Sequence, residues 1–111
     1  MKELVLVFTN ALAGREEECN TWYHGVHLRE VAGVKGIKSA QRFTVGDNQL
    51  TDGEQPYKYV AVYEIDEAVG AEQAVKNMLE DAENMTMSDA LDTDNAYVTV
   101  VRAVTDKIVA S

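Results

Sequence analysis

Tyr57-Lys58-Tyr59-Val60-Ala61-Val62-Tyr63-Glu64-Ile65-Asp66 is the stretch on which the fold turns. β-Branched and aromatic residues dominate it, and alternation puts Tyr57, Tyr59, Ala61 and Tyr63 on one face and Val60 and Val62 on the other. Both faces are apolar, which predicts a strand covered on both sides. Upstream, the turn-rich run from Gly46 to Pro56 joins it to a second alternating stretch, Ile37 to Val45. Glu3 to Asn10 predicts a first strand and the valine-rich run Ala96 to Thr105 a last one. Between the strands lie two helical patterns. Residues 14 to 32 place Glu16, Glu17 and Glu18 in a first turn, where the helix dipole favours carboxylates, and end at Gly33 and Gly36. Residues 70 to 84 put Ala71, Ala74, Val75, Met78, Leu79 and Ala82 on one helical side. The polar connection Met85 to Asn95 is read with one helical turn, begun by Thr86 and Asp89 as a capping box.

The order is β-α-β-β-α-β, the split βαβ pattern of ferredoxin-like α+β folds, in which two helices cover one face of a four-stranded antiparallel sheet. One face is then left bare. With Leu4, Leu6 and Phe8 assigned to the helices, the bare face carries Val5, Val7 and Thr9 beside Tyr59, Ala61, Tyr63, Thr99, Val101 and Ala103. Such a face is too apolar for water, so a homodimer built by facing sheets is expected.

The chain has 111 residues, 46% of them hydrophobic, which fits one domain over residues 1 to 111 with a single core. Ten basic against 19 acidic residues leave a net charge of −9, a sign that repels nucleic acid and anionic membrane surfaces as partners. No run approaches the length of a membrane span, and the opening residues lack the pattern of a signal peptide, so a cytoplasmic location is expected. One cysteine, Cys19, allows no internal disulfide and suits a reducing compartment. Asp92-Thr93-Asp94-Asn95 opens like a calcium loop, but Tyr97 stands where glycine is required and Ala103 where glutamate is. There is no phosphate-binding loop and no zinc spacing, so no metal and no cofactor are expected.

The segment with chemistry in it is Asn20-Thr21-Trp22-Tyr23-His24-Gly25-Val26-His27-Leu28-Arg29-Glu30-Val31. Tyr23 and His27 are four apart and share a helix side, close enough for a phenol and an imidazole to serve one ligand. Imidazole suits proton transfer because it titrates near neutrality. Glu30, three residues on, can orient His27, and Trp22 is a large anchor for core, interface or ligand. His24 is read as surface and Cys19 as core packing.

This segment, with Gly33 and Gly36-Ile37-Lys38-Ser39-Ala40-Gln41-Arg42-Phe43, resembles the dimeric α/β-barrel superfamily and its EthD-like branch, which carries a W-Y-x-x-x-H-L-type signature late in the first helix. Lys35 stands where the branch often has proline. Methylmuconolactone methylisomerases of that branch use a histidine at the position of His27, and the resemblance therefore implies an acid/base role for it.

The expected function is a cofactor-free enzyme moving protons on an aromatic or lactone-like compound, as an isomerase, cyclase or lyase. Catalysis is assigned to His27 and Tyr23, and substrate contact to Trp22, Glu30, Thr9, Tyr59 and Tyr63, around a pocket between the first helix and the uncovered face of the sheet. The alternatives are a noncatalytic ligand-binding dimer and a haem-using or oxygen-using monooxygenase of the same superfamily.

Overall fold

The computed structural model describes residues 1–111. Its elements are β1 (Glu3–Thr9), α1 (Glu16–Trp22), a π-helical turn (Tyr23–His27), α2 (Leu28–Ala32), β2 (Ile37–Thr44), β3 (Tyr59–Ile65), α3 (Ala71–Ala82), a 3-10 turn (Thr93–Asn95) and β4 (Tyr97–Arg102). The four strands form one antiparallel sheet in the order β2-β3-β1-β4. This is the expected α+β arrangement, with element ends shifted by no more than three residues. Two local readings differ from the structure: the helix over residues 14 to 32 contains a π turn, and the turn begun by Thr86 is not formed. Residues 85–90 are irregular, and the short helical turn falls at Thr93–Asn95.

The helices lie on the face that carries Val5, Tyr63, Ala61 and Ile65, which form one buried cluster with Trp22, Tyr23, Val31, Val34, Ile37 and Ala74. The register fixes the rest of that face, because residues directly opposite in antiparallel strands point the same way. Val5 pairs with Tyr63 and Val100, Val7 with Ala61 and Val98, and Thr9 with Tyr59. On β2, Ala40 opposes Tyr63 and Arg42 opposes Ala61.

On β1 and β3 the two sheet faces are therefore the reverse of the sequence assignment, whereas Thr99 and Val101 of β4 lie on the bare face as expected. Leu4, Leu6 and Phe8 look away from the helices, joined by Val60, Val62, Phe43, Tyr97 and Val101. Alternation separates two sets of side chains but gives no sign to either, and here both sets are apolar. The aromatic row of β3 decides it, since Tyr59 and Tyr63 are the side chains large enough to meet α1 and the π turn. The bare face is still apolar: Phe43, Tyr97 and Val101 are exposed, and Phe8 packs against Tyr57 and Tyr97 at 5.8 and 6.0 Å between ring centres.

Gly36 closes the helical layer onto the sheet. Its φ of +108° is a left-handed value, and a Cβ there would sit 2.8 Å from Cβ of Ala74 on α3. Cys19, on α1, is completely buried, and burial pushes its thiol pKa up. No helix is long and apolar enough to cross a membrane.

Candidate functional site

Tyr23, Val26 and His27 belong to a helix whose middle is widened by one π turn. In an α-helix of 3.6 residues per turn, positions i and i+5 point about 140° apart. The π turn hydrogen-bonds i to i+5 and so carries Trp22 and His27 over one another. Their rings stack at 4.7 Å and 17°. Tyr23 meets His27 edge to face at 5.0 Å and 86°.

His27 and Tyr23 line a cavity of about 210 Å³ between the helices and the covered sheet face. Tyr63 and Val7 form its floor, Val31 a side, and Met78, Leu79, Ala82 and Met85 close it from α3 and the segment after it. The walls are almost wholly apolar, and the polar groups are the imidazole and two phenols. The hydroxyls of Tyr23 and Tyr63 are 3.2 Å apart and hydrogen-bonded. Burial pushes both phenols above their ordinary pKa, so they stay protonated and able to donate.

The His27 side chain is only 14% exposed. Its Nδ1 is shut off from solvent without a hydrogen-bond partner, 3.6 Å from Glu30 Oε1, which is equally sealed and unpartnered. Nε2 is thus the ring nitrogen free to serve the cavity. Burial holds the imidazole below its usual range, with the Glu30 carboxylate pulling the other way. His27 is accordingly a neutral base at neutral pH, beside a carboxylate placed to support the imidazolium once it forms.

The segment after α3 is tied to this helix. Trp22 Nε1 donates to the Thr86 carbonyl at 2.7 Å, and the Thr86 amide donates to Glu30 Oε2 at 2.9 Å. Arg15 reaches Asp89 Oδ1 at 2.8 Å. These bonds hold Met85 in the cavity wall.

Of the seven residues singled out in the sequence, Tyr23, His27 and Tyr63 come together at the cavity. Trp22 and Glu30 stand behind His27, one stacked on its ring and one beside Nδ1. Thr9 is buried at the end of β1, opposite Tyr59, and neither lines the cavity. The cavity also lies on the covered side of the sheet, whereas the sequence reading put the pocket against the bare side.

Tyr59 instead belongs to a second opening, of about 320 Å³, lined by Asn20, His24, Arg42, Phe43, Thr44 and Tyr59. Arg42 was not singled out in the sequence. Its guanidinium lies between the rings of Tyr23 and Tyr59, 4.2 Å from each centre. Nη1 donates to Asn20 Oδ1 at 2.6 Å and to His24 Nε2 at 3.0 Å, so His24 Nε2 carries no proton there. Asn20 Nδ2 donates to the Tyr59 hydroxyl at 3.1 Å. Nε and Nη2 are buried and unpartnered.

No protein-family model and no curated protein matches the sequence. Solved structures do match in shape. One is a presumed monooxygenase from Shewanella loihica PV-4, 14% identical over 94% of this chain and 95% of that one, with a TM-score of 0.59. Another is an ethyl tert-butyl ether d (EthD) family protein from Bacillus halodurans C-125, 10% identical over 94% of this chain and 99% of that one, with a TM-score of 0.54. At these identities the likeness concerns the fold alone, and the chain has a ferredoxin-like α+β fold.

Proposed function

We propose that the protein is a homodimeric, cofactor-free catalyst of proton transfer on a small aromatic or lactone-like compound, with His27 as the acid/base. The observation that carries this reading is the meeting of one neutral imidazole and two protonated phenols at an otherwise apolar cavity. His27 Nε2 takes a proton from an acidic carbon or hydroxyl of the ligand, and the imidazolium formed is supported by Glu30. One of the two phenols spends its proton on the other, so the Tyr23–Tyr63 pair offers one O–H to the oxygen on which charge develops, and the apolar walls strengthen that bond. His27 then returns the proton at a second position, so that the reaction is an isomerisation or ring closure without net redox change.

The cavity is smaller than the roughly 300–1,000 Å³ of ordinary ligand pockets, which suits a compact substrate and not a macrocycle such as haem. Oxygen-using chemistry is the second reading, favoured by the likeness in fold to the presumed monooxygenase. Oxygen uptake coupled to loss of substrate would select it.

The test is proton exchange in deuterated water across a panel of aromatic and lactone carbon acids. Wild type should incorporate deuterium into a responsive compound, and His27→Ala should slow that about 10²-fold or more with little change in melting temperature. Tyr23→Phe should slow it less. Unchanged exchange in His27→Ala would remove the assignment.

The homodimer rests on the bare face around Leu6, Phe8, Val60 and Tyr97. Sheet-to-sheet pairing buries it in the way that an isolated chain does not.

A further inference from the structure

We propose that Arg42 sets the direction of the hydrogen bond between the two cavity phenols, so that Tyr23 donates to Tyr63 and the Tyr63 hydroxyl is the one left for the ligand. The role of that hydroxyl rests on the proton-transfer reading, whereas the direction of the bond is a property of the protein alone.

The two oxygens are 3.2 Å apart, and their geometry lets either one donate. Where two hydroxyls share a bond, the stronger acid donates and the weaker keeps its own proton for a third group. Tyr23 and Tyr63 are equally buried, each 1% exposed, so the difference between them lies in what each ring faces. Tyr23 carries the Arg42 guanidinium on its face, 4.2 Å from the ring centre. The second ring that Arg42 covers is Tyr59, also at 4.2 Å, and not Tyr63. A cation against an aromatic face draws on the electrons of the ring and favours the phenol giving up its proton. Tyr23 is therefore the donor. Burial raises its pKa, but the bond to Tyr63 and the Arg42 charge pull the other way. For Tyr63, burial and then the Tyr23 oxygen both act upward, which marks it as the weaker acid.

The charge of Arg42 is not taken up elsewhere. Nε and Nη2 are sealed from solvent without a partner, and Nη1 bonds only the neutral Asn20 amide and the unprotonated nitrogen of His24. Arg42 enters none of the chain's ion pairs, although the sequence has 19 acidic residues. An uncharged side chain of the same length would fill the space between two rings, and it would do so without burying a cation. With no carboxylate beside it, the field of Arg42 falls on the rings it touches. The other titratable groups around Tyr23 come from its own helix. His27 meets the ring edge-on at 5.0 Å and is held neutral by burial, and the buried Cys19 thiol is pushed up in pKa, so neither brings a charge that opposes Arg42.

The outcome is a one-way chain from Tyr23 through Tyr63 to the ligand, with a cation at its rear. As charge develops on the ligand oxygen, Tyr63 donates to it, and the bond arriving from Tyr23 makes Tyr63 a stronger donor. Tyr63 is then the catalytic phenol. Tyr23 and Arg42 act through it as positioning residues.

The experiment is a fluorine NMR titration of protein carrying fluorotyrosine, whose phenol ionises at lower pH than that of tyrosine. Signals are assigned from Tyr23→Phe and Tyr63→Phe. As pH rises, Tyr23 should ionise before Tyr63 in the otherwise wild-type chain. In Arg42→Met, which keeps the length and removes the charge, the Tyr23 midpoint should move up by about one pH unit or more. Arg42→Lys, which retains the charge, should recover most of that shift. Tyr97, on the far edge strand from Arg42, should stay in place throughout. Ionisation of Tyr63 first, or a Tyr23 midpoint unmoved in Arg42→Met, would overturn the proposal, and the wild-type order decides it where Arg42→Met folds poorly. No substrate enters this titration, so its failure is distinct from a failure of deuterium exchange. With a compound that does exchange, Tyr63→Phe should slow the reaction more than Tyr23→Phe, and the reverse ranking would also overturn it.

Discussion

A largely buried imidazole at the edge of an apolar cavity, with one nitrogen sealed beside a carboxylate, titrates differently from one in water. Burial is the larger influence on His27 and lowers its pKa below the ordinary 6.5, so the unfolded chain takes up the proton first as pH falls. Between 6.5 and the lower folded value the unfolded state binds more protons, and stability falls with falling pH through that window. Above it, His27 adds no slope. Melting temperatures measured against pH should therefore diverge on the acid side between wild type and His27→Gln, with the variant losing less. The protein's one tryptophan gives a second readout, since Trp22 is stacked on that ring. An imidazolium quenches indole emission, so Trp22 fluorescence should drop at the acid end of that window and below it, where folded His27 takes its proton, and stay flat in His27→Gln. At this scale the sequence was informative where partners are close along the chain: Tyr23 and His27 were paired from a four-residue spacing. Arg42 was missed because Asn20, His24, Tyr23 and Tyr59 reach it only after folding. Its signal was present in β2, where a charged residue shares the inward side with Ala40.

The widening of one helical turn is what assembles Trp22, Tyr23 and His27, and no α-helical spacing rule would have put Trp22 on His27. Sequence periodicity treated residues 14 to 32 as one regular helix. The irregularity became visible only with the backbone. Gly25 sits inside the π turn with open space around it, so removing it costs no packing contact of its own. Deleting Gly25 should restore regular α-helix, part the two rings and abolish the pH response of Trp22 fluorescence, while circular dichroism still reports a folded helix. A second consequence concerns the other end of the layer. Gly36 was read from the sequence as the helix stop, and it also makes the contact with α3. Gly36→Ala should lower stability by about 1–3 kcal/mol, from the strained left-handed backbone and the clash with Ala74, measured by denaturant unfolding.

Two apolar sheet faces in one small domain have different fates, and charge substitution separates them. Leu6 opposes Val62 and Thr99 on the bare face, whereas Val7 packs toward the helices. Leu6→Asp should leave a folded chain that sediments as a monomer of 12.3 kDa, if pairing of sheets holds the dimer. Val7→Asp should instead unfold the chain or lower its stability by several kcal/mol, because it buries an unpaired charge. A wild type that is monomeric at micromolar concentration would end the dimer proposal. The succession of elements along the chain and the apolar character of both faces were legible in the sequence, because they follow from local patterns. Which face the helices cover was not, because it depends on the bulk of side chains that meet across elements. Finally, the single thiol of Cys19 is out of reach while the chain stays folded. An alkylating reagent can modify it only through transient opening, so its labelling rate under native conditions is a clock for that opening. Any compound that fills either opening and favours the closed chain would slow the clock, and candidate ligands could then be ranked by mass spectrometry before any reaction is known.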